Sequence, residues 1–204
     1  MNDLNKAQVY ISRIRRQVAH ITEIRGYGPA TLASTGALAL AAAGAQALWL
    51  PDAANHIAGY LSIWIWTAAF SAALIGTEMY ARTRRIHSGM ADEMIRMAVE
   101  QFLPSAGVGG LVTFVLVRFV PASQWMLPGI WQIIFSLGVF SSLRFLPRAM
   151  AIAGGWYLLT GLTCLALGDG RALSPWAMGI PYGAGQLMVA GILLFYAQEA
   201  KDEG

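Results

Sequence analysis

Apolar residues in this chain come in long runs rather than in alternation. Six stretches carry few charges or none: roughly 30–50, 58–79, 104–120, 124–146, 149–168 and 176–197. About 20 residues of helix cross some 30 Å of hydrocarbon. Backbone polar groups in lipid must be satisfied within the segment. The pattern therefore predicts an all-α fold, a polytopic transmembrane bundle of six spans. No run shows the period-two alternation of a membrane strand.

Two polar segments have helical spacing as well. Leu4, Ala7, Ile11, Ile14, Val18 and Ile21 make one apolar stripe, with Lys6, Arg13, Arg16 and Gln17 off it. Together with Arg15 this predicts a cytoplasmic basic amphipathic helix over 1–25, ahead of a membrane domain over 26–198 and a tail at 199–204. Lys6, Arg13, Arg15 and Arg16 suit contact with an anionic leaflet. Packing on its own bundle, or pairing with a second copy or a membrane-protein partner, uses the same stripe. The second segment, 88–103, is too polar to span and predicts an interfacial helix. Ser88 is its expected cap, and Met90, Met94, Met97, Ala98 and Phe102 are its apolar face.

Charge fixes the expected orientation. An internal N-terminus puts twelve of the fourteen Lys and Arg residues on the cytoplasmic side and leaves Arg118 and Arg171 outside. This bias predicts a multi-pass protein of a cytoplasmic membrane with both termini inside. An Ala-x-Ala pattern at 43–47 resembles a signal cleavage site, but the 29 residues ahead of the first run are too long and too patterned for a signal n-region.

Composition narrows the function classes. Hydrophobic residues make up 56% of the chain and charged ones 12%, against about a quarter in soluble domains. That excludes a cytosolic enzyme or a nucleic-acid-binding domain, and no nucleic-acid partner is expected. The single cysteine, Cys164, excludes a disulfide framework or thiolate cluster. Only Glu78, Arg118 and Arg144 fall inside the runs, each toward an end, which argues against a proton relay. The three histidines, His20, His56 and His87, lie outside the runs, so paired haem ligands are missing and no cofactor or metal is expected. No nucleophile–base pair or phosphate loop is present, and an enzyme is not expected.

What remains is mild polarity at mid-depth. Tyr60, Trp64, Thr67, Ser71 and Glu78 share a stripe on the second run, and Trp125, Gly129, Gln132, Ser136 and Phe140 share one on the fourth. Trp64, Thr67, Ser71, Trp131, Gln132, Ser136 and Gln186 are the candidate solute-lining residues. Interhelical hydrogen bonding explains them equally. Trp64, Trp66 and Trp131 lie deeper than an interfacial belt and suit either an aromatic cavity or the core. Gly36, Ala37, Leu40, Ala41 and Gly44, with the Gly179–Gly183 pair, predict close helix contacts within the bundle or between copies. Pro181, between the two glycines, is expected to loosen its helix.

Three membrane entries share a form, an aromatic two residues before a proline: Tyr27-Gly28-Pro29, Phe102-Leu103-Pro104 and Phe145-Leu146-Pro147. With other echoes this suggests three helical hairpins of one orientation, although membrane helices coincide easily in a small alphabet. Arg25-Gly26-Tyr27-Gly28, Arg84-Arg85-Ile86-His87-Ser88-Gly89 and Leu127-Pro128-Gly129-Ile130-Trp131-Gln132 together resemble an uncharacterised family of small bacterial six-span inner-membrane proteins. The resemblance implies the architecture and no activity. Two functions stay open: binding or passage of a small neutral or hydrophobic solute, and a non-transporting sensor, scaffold or accessory role through the cytoplasmic helices.

Overall fold

The computed structural model describes residues 28–86, 91–143 and 146–202. Among these, all regular structure is helical: α1 Pro29–Trp49, α2 Ile57–Ile86, α3 Ala91–Phe119, α4 Leu127–Ser142, α5 Met150–Leu167 and α6 Pro175–Asp202. Two short 3-10 turns, Pro121–Met126 and Gly170–Leu173, precede α4 and α6. The basic arm with Lys6, Arg13, Arg15 and Arg16, and the Ser88 cap, lie outside the described residues.

Five helical stretches are long and apolar enough to cross a membrane: Pro29–Trp49, Ile57–Ala81, Pro121–Ser142, Met150–Leu167 and Pro175–Gln198. The apolar half of α3, Leu103–Phe119, is shorter. Here the structure departs from the expected layout, because the interfacial segment and the third run form one continuous helix with Pro104 inside it. The membrane entry at Phe102-Leu103-Pro104 is thus not a helix start, unlike the one at Tyr27-Gly28-Pro29. Breaking the helix there would free several backbone groups in an apolar setting, whereas a proline within it forfeits a single N–H bond. Pro29 does stand at the first turn of α1, where its missing N–H costs nothing.

The six helices alternate between two ends. At one end the two 3-10 turns touch each other, and Gly170 lies beside Ala54 of the 50–56 loop. At the other end the Glu78 carboxylate lies against Gly28, at the N-terminus of α1, where free N–H groups favour negative charge. Leu32, Met150, Ala190 and Leu193 pack there with Ile75, Leu143 and Leu146.

Two helix pairs form the rigid centre. α1 packs along α6 and α4 along α5, more extensively than sequential neighbours pair elsewhere. Small residues make both approaches possible. A Cβ at Gly36 would stand 3.0 Å from the Gly183 carbonyl oxygen, and Gly179 lies against Ala43. Of the expected stripe on the first run, Gly36 and Leu40 meet the Gly179–Gly183 pair inside one bundle, with Ala43 beside them, whereas Ala37 and Ala41 are exposed. Gly44, by contrast, faces open space. α4 and α5 cross at Gly129 and Gly161, where a Cβ on either would come within 2.8 Å of the other's carbonyl oxygen.

α2 and α3 are the looser pair. Ile65, Trp66, Phe70, Leu111 and Phe114 on these helices are all more than half exposed, as are Ile152 and Leu159 on α5. A soluble monomer rarely shows a contiguous apolar surface of this extent; lipid accommodates it.

Candidate functional site

Proline governs the chemistry of the bundle interior. Pro181 lies inside α6 and has no N–H to give the carbonyl of residue 177, one turn earlier. That carbonyl takes its hydrogen bond from another helix: the Gln132 side-chain amide on α4 donates to the Ala177 oxygen at 2.8 Å. The Cys164 thiol on α5 lies 3.7 Å from the same oxygen. Gln132 is thereby fixed in orientation, and its Oε1 is turned into the core with no partner.

Three more buried polar atoms are unpaired: the hydroxyls of Tyr60, Ser136 and Tyr157. Folded proteins leave few such atoms, and each costs about 1–3 kcal/mol when buried alone. At 1.5 Å per residue, Tyr60 and Gln132 sit about 5 and 8 Å inside the loop-end termini of their helices. By the same count Ser136 and Tyr157 sit about 14 and 15 Å in, near mid-depth. The Gly185 backbone lies directly against the Tyr157 hydroxyl, on α6.

Aromatic rings pack around these atoms, and we call this buried polar and aromatic region the chamber. Tyr60 stacks on Trp131 with centroids 6.4 Å apart. Phe135, Tyr157 and Tyr182 form a cluster at centroid distances of 4.7 to 5.5 Å. Three indole N–H groups tie the surrounding helices together. Trp64 on α2 donates to Gln46 on α1 at 2.7 Å, Trp131 on α4 to Thr113 on α3 at 2.9 Å, and Trp156 on α5 to the Pro181 carbonyl on α6 at 2.9 Å.

The seven candidate lining residues therefore divide. Gln132 and Ser136 are fully buried in the chamber, and Trp64 and Trp131 belong to its wall. Thr67 is half-buried and donates its hydroxyl to the Ile63 carbonyl of its own helix at 2.7 Å. Ser71 is half-buried farther along α2. Gln186 lies against Gly36 on α1. Sequence reasoning missed Tyr157, Tyr182 and Gln46. For Tyr157 a signal existed, since Gly154, Tyr157, Gly161 and Cys164 recur at spacings of three and four, as a packed face does.

The loop end carries its own short-range order. Gly168 ends α5 at φ 70°, a conformation glycine adopts without a Cβ penalty. Asp169 then accepts from the Arg171 backbone N–H and from its guanidinium at 2.9 Å. These bonds hold the Asp169 carboxyl below its ordinary value. Above the chamber, Leu173 is buried, and its carbonyl accepts from the Gln46 amide at 2.8 Å. Gln46 thus bridges the Gly170–Leu173 turn to Trp64.

No charged side chain is buried among the described residues, and none of them form a group of three or more His, Cys, Asp or Glu able to hold a metal. The chamber offers one fixed acceptor, Gln132 Oε1, and three hydroxyls that can donate or accept. Such a set suits an uncharged molecule carrying at least one N–H or O–H. Compared with family models, curated proteins and solved structures, the chain shows no match.

Proposed function

We propose that this is a six-span integral membrane protein, with both ends at the cytoplasmic face, that binds a small uncharged hydrogen-bonding solute between α2, α4, α5 and α6. The four unpaired polar atoms in an aromatic, charge-free interior carry the reading. The apolar half of α3, 17 residues, is about 26 Å long, close to the ~27 Å of a thin bilayer. The excess of Lys and Arg toward the Gly28 end supports the orientation.

Thermal unfolding of the protein in lipid nanodiscs, followed by tryptophan fluorescence, tests the binding. Glycerol, ethylene glycol and acetamide serve as probes. At saturation a ligand adds about 2.7 kcal/mol at 100 Kd, which for a chain of this size raises Tm by about 5 °C or more. Ser136→Ala and Tyr157→Phe are expected to lose that rise. If every solute shifts wild type and both variants equally, the reading fails. Without solute, Tyr157→Phe should be at least as stable as wild type, because it removes a buried hydroxyl that has no partner.

A further inference from the structure

The two ends of the chamber are built differently, and this bears on how a solute reaches it. Of the four unpaired polar atoms, those of Tyr60 and Gln132 lie close to the 50–56 loop and the two 3-10 turns, and those of Ser136 and Tyr157 lie near mid-depth. Beyond Tyr157 toward the Gly28 end, the Phe140 ring is pressed on Gly154 at 2.7 Å from where a Cβ would stand. The apolar layer of Leu32, Met150, Ala190 and Leu193 then closes the interior. Met150 lies seven residues below Tyr157 on α5, so this floor is about 10 Å thick. Thr35, the one buried Ser, Thr, Asn or Gln beyond Ser136 toward that end among the described residues, gives its hydroxyl to the Leu32 carbonyl of its own helix at 2.8 Å. Among the described residues, no buried side-chain polar atom of the floor is left without a partner.

The loop end is thinner. Tyr60 and Gln132 lie only one to two turns beneath it, and Leu127, Ala172 and Leu173, on or next to the 3-10 turns, are buried at that end, Leu173 in one cluster with Tyr60. Short 3-10 turns have poorer hydrogen-bond geometry than α-helices. The Gly170–Leu173 turn is tied to α1 by the Gln46 bond to the Leu173 carbonyl, with Gln46 in turn held by Trp64.

Resting on the solute-binding reading, we infer that the chamber is a dead-end pocket entered only from the end formed by residues 50–56, Pro121–Met126 and Gly170–Leu173. The two 3-10 turns are its lid, and Gln46 is the latch. The protein then senses or captures its solute on one side of the membrane and does not conduct it through.

The protein carries its own reporter. Cys164 is the single cysteine and lies within 3.7 Å of the Gln132 amide. Right-side-out and inverted membrane vesicles are treated with a small, positively charged, membrane-impermeant methanethiosulfonate, and the mass shift of the intact chain is followed in time. Protease access to the C-terminal end identifies that face in the same vesicles. Cys164 should react slowly, and only from the face opposite the C-terminus. Gln46→Leu should speed the reaction about tenfold, the effect of losing roughly one charge-free hydrogen-bonded latch. Trp64→Phe, which frees Gln46 and keeps a ring in place, should give a smaller acceleration. Leu193→Cys, made together with Cys164→Ser, should stay unmodified from both faces.

Reaction of Cys164 from the C-terminal face, equal reaction from both faces, or no reaction in wild type and both latch variants overturns the inference. Solute stabilisation in nanodiscs does not depend on sidedness. Stabilisation with symmetric labelling removes the one-sided entry alone. One-sided labelling without stabilisation by any probe removes the solute and leaves the entry.

Discussion

Gly161→Ala is expected to destabilise the protein by about 1–3 kcal/mol, the range for overfilling a packed contact. Gly161→Val is expected to leave little folded protein in detergent. The added Cβ would stand 2.8 Å from the Gly129 carbonyl oxygen, 2.9 Å from Ile133 Cγ1 and 3.1 Å from Gln132 Cβ. Backbone oxygen cannot swing aside as a side-chain tip can, so α4 and α5 must separate. That separation also draws Gln132 away from Ala177 and opens the chamber. The control is internal: Gly107→Ala and Gly155→Ala sit where nothing lies within 4 Å. Both should be neutral or stabilising by up to about 1 kcal/mol, because alanine is the better helix former. Unfolding midpoints of the four variants give the answer. If Gly161→Ala and Gly155→Ala have the same stability, the crossing is not where the structure puts it.

The second large effect is a coupling. Gln132→Leu should cost about 1–3 kcal/mol, because it strands the Ala177 carbonyl that Pro181 has already deprived of its helical partner. Pro181→Ala restores that N–H. In the Pro181→Ala background, Gln132→Leu should therefore cost at least about 1 kcal/mol less than in wild type, well beyond the ~0.5 kcal/mol within which independent sites add. Additive costs would mean that Gln132 is not the surrogate donor. The cycle also bears on how the chamber is probed. Gln132 supports α6 as well as facing the interior, so its loss mixes folding with binding. Ser136 and Tyr157 make no hydrogen bond in the structure, and they report on a solute without that confusion.

Some of the candidate chemistry was legible in the chain and some was not. Gln132 and Ser136 were readable because they are polar, one turn apart and at mid-depth of an apolar run. Thr67 and Ser71 satisfied the same criteria. Yet a helical threonine can turn its hydroxyl onto the carbonyl four residues back, as Thr67 does with Ile63. No property of the sequence distinguishes that from a hydroxyl turned inward. Tyrosine was undervalued for the opposite reason. Its ring reads as an interfacial or core group, so Tyr157 and Tyr182 did not register as polar until the fold buried them. Gln46 lies near the end of the first run, where a polar residue is unremarked. Its importance depends on Leu173, which is 127 positions away.

The sequence by itself determined that the chain is helical, where its long apolar helices fall and where its charges collect. These follow from the solvent: a helix in lipid must be apolar over its length and satisfy its own backbone, which are local requirements on consecutive residues. Only the tertiary structure decided that α1 pairs with α6 and α4 with α5, and that the third apolar run continues the polar segment before it. It alone showed that the carbonyl freed by Pro181 is taken by Gln132. Pairing depends on the rotation of each helix about its axis and on which small residues come face to face. Many glycines and alanines in this chain were suitable; Gly36 found Gly183, while Gly44 found open space. A proline announces locally that a carbonyl will lack its donor, but the replacement comes from whichever neighbour the packing brings within 3 Å.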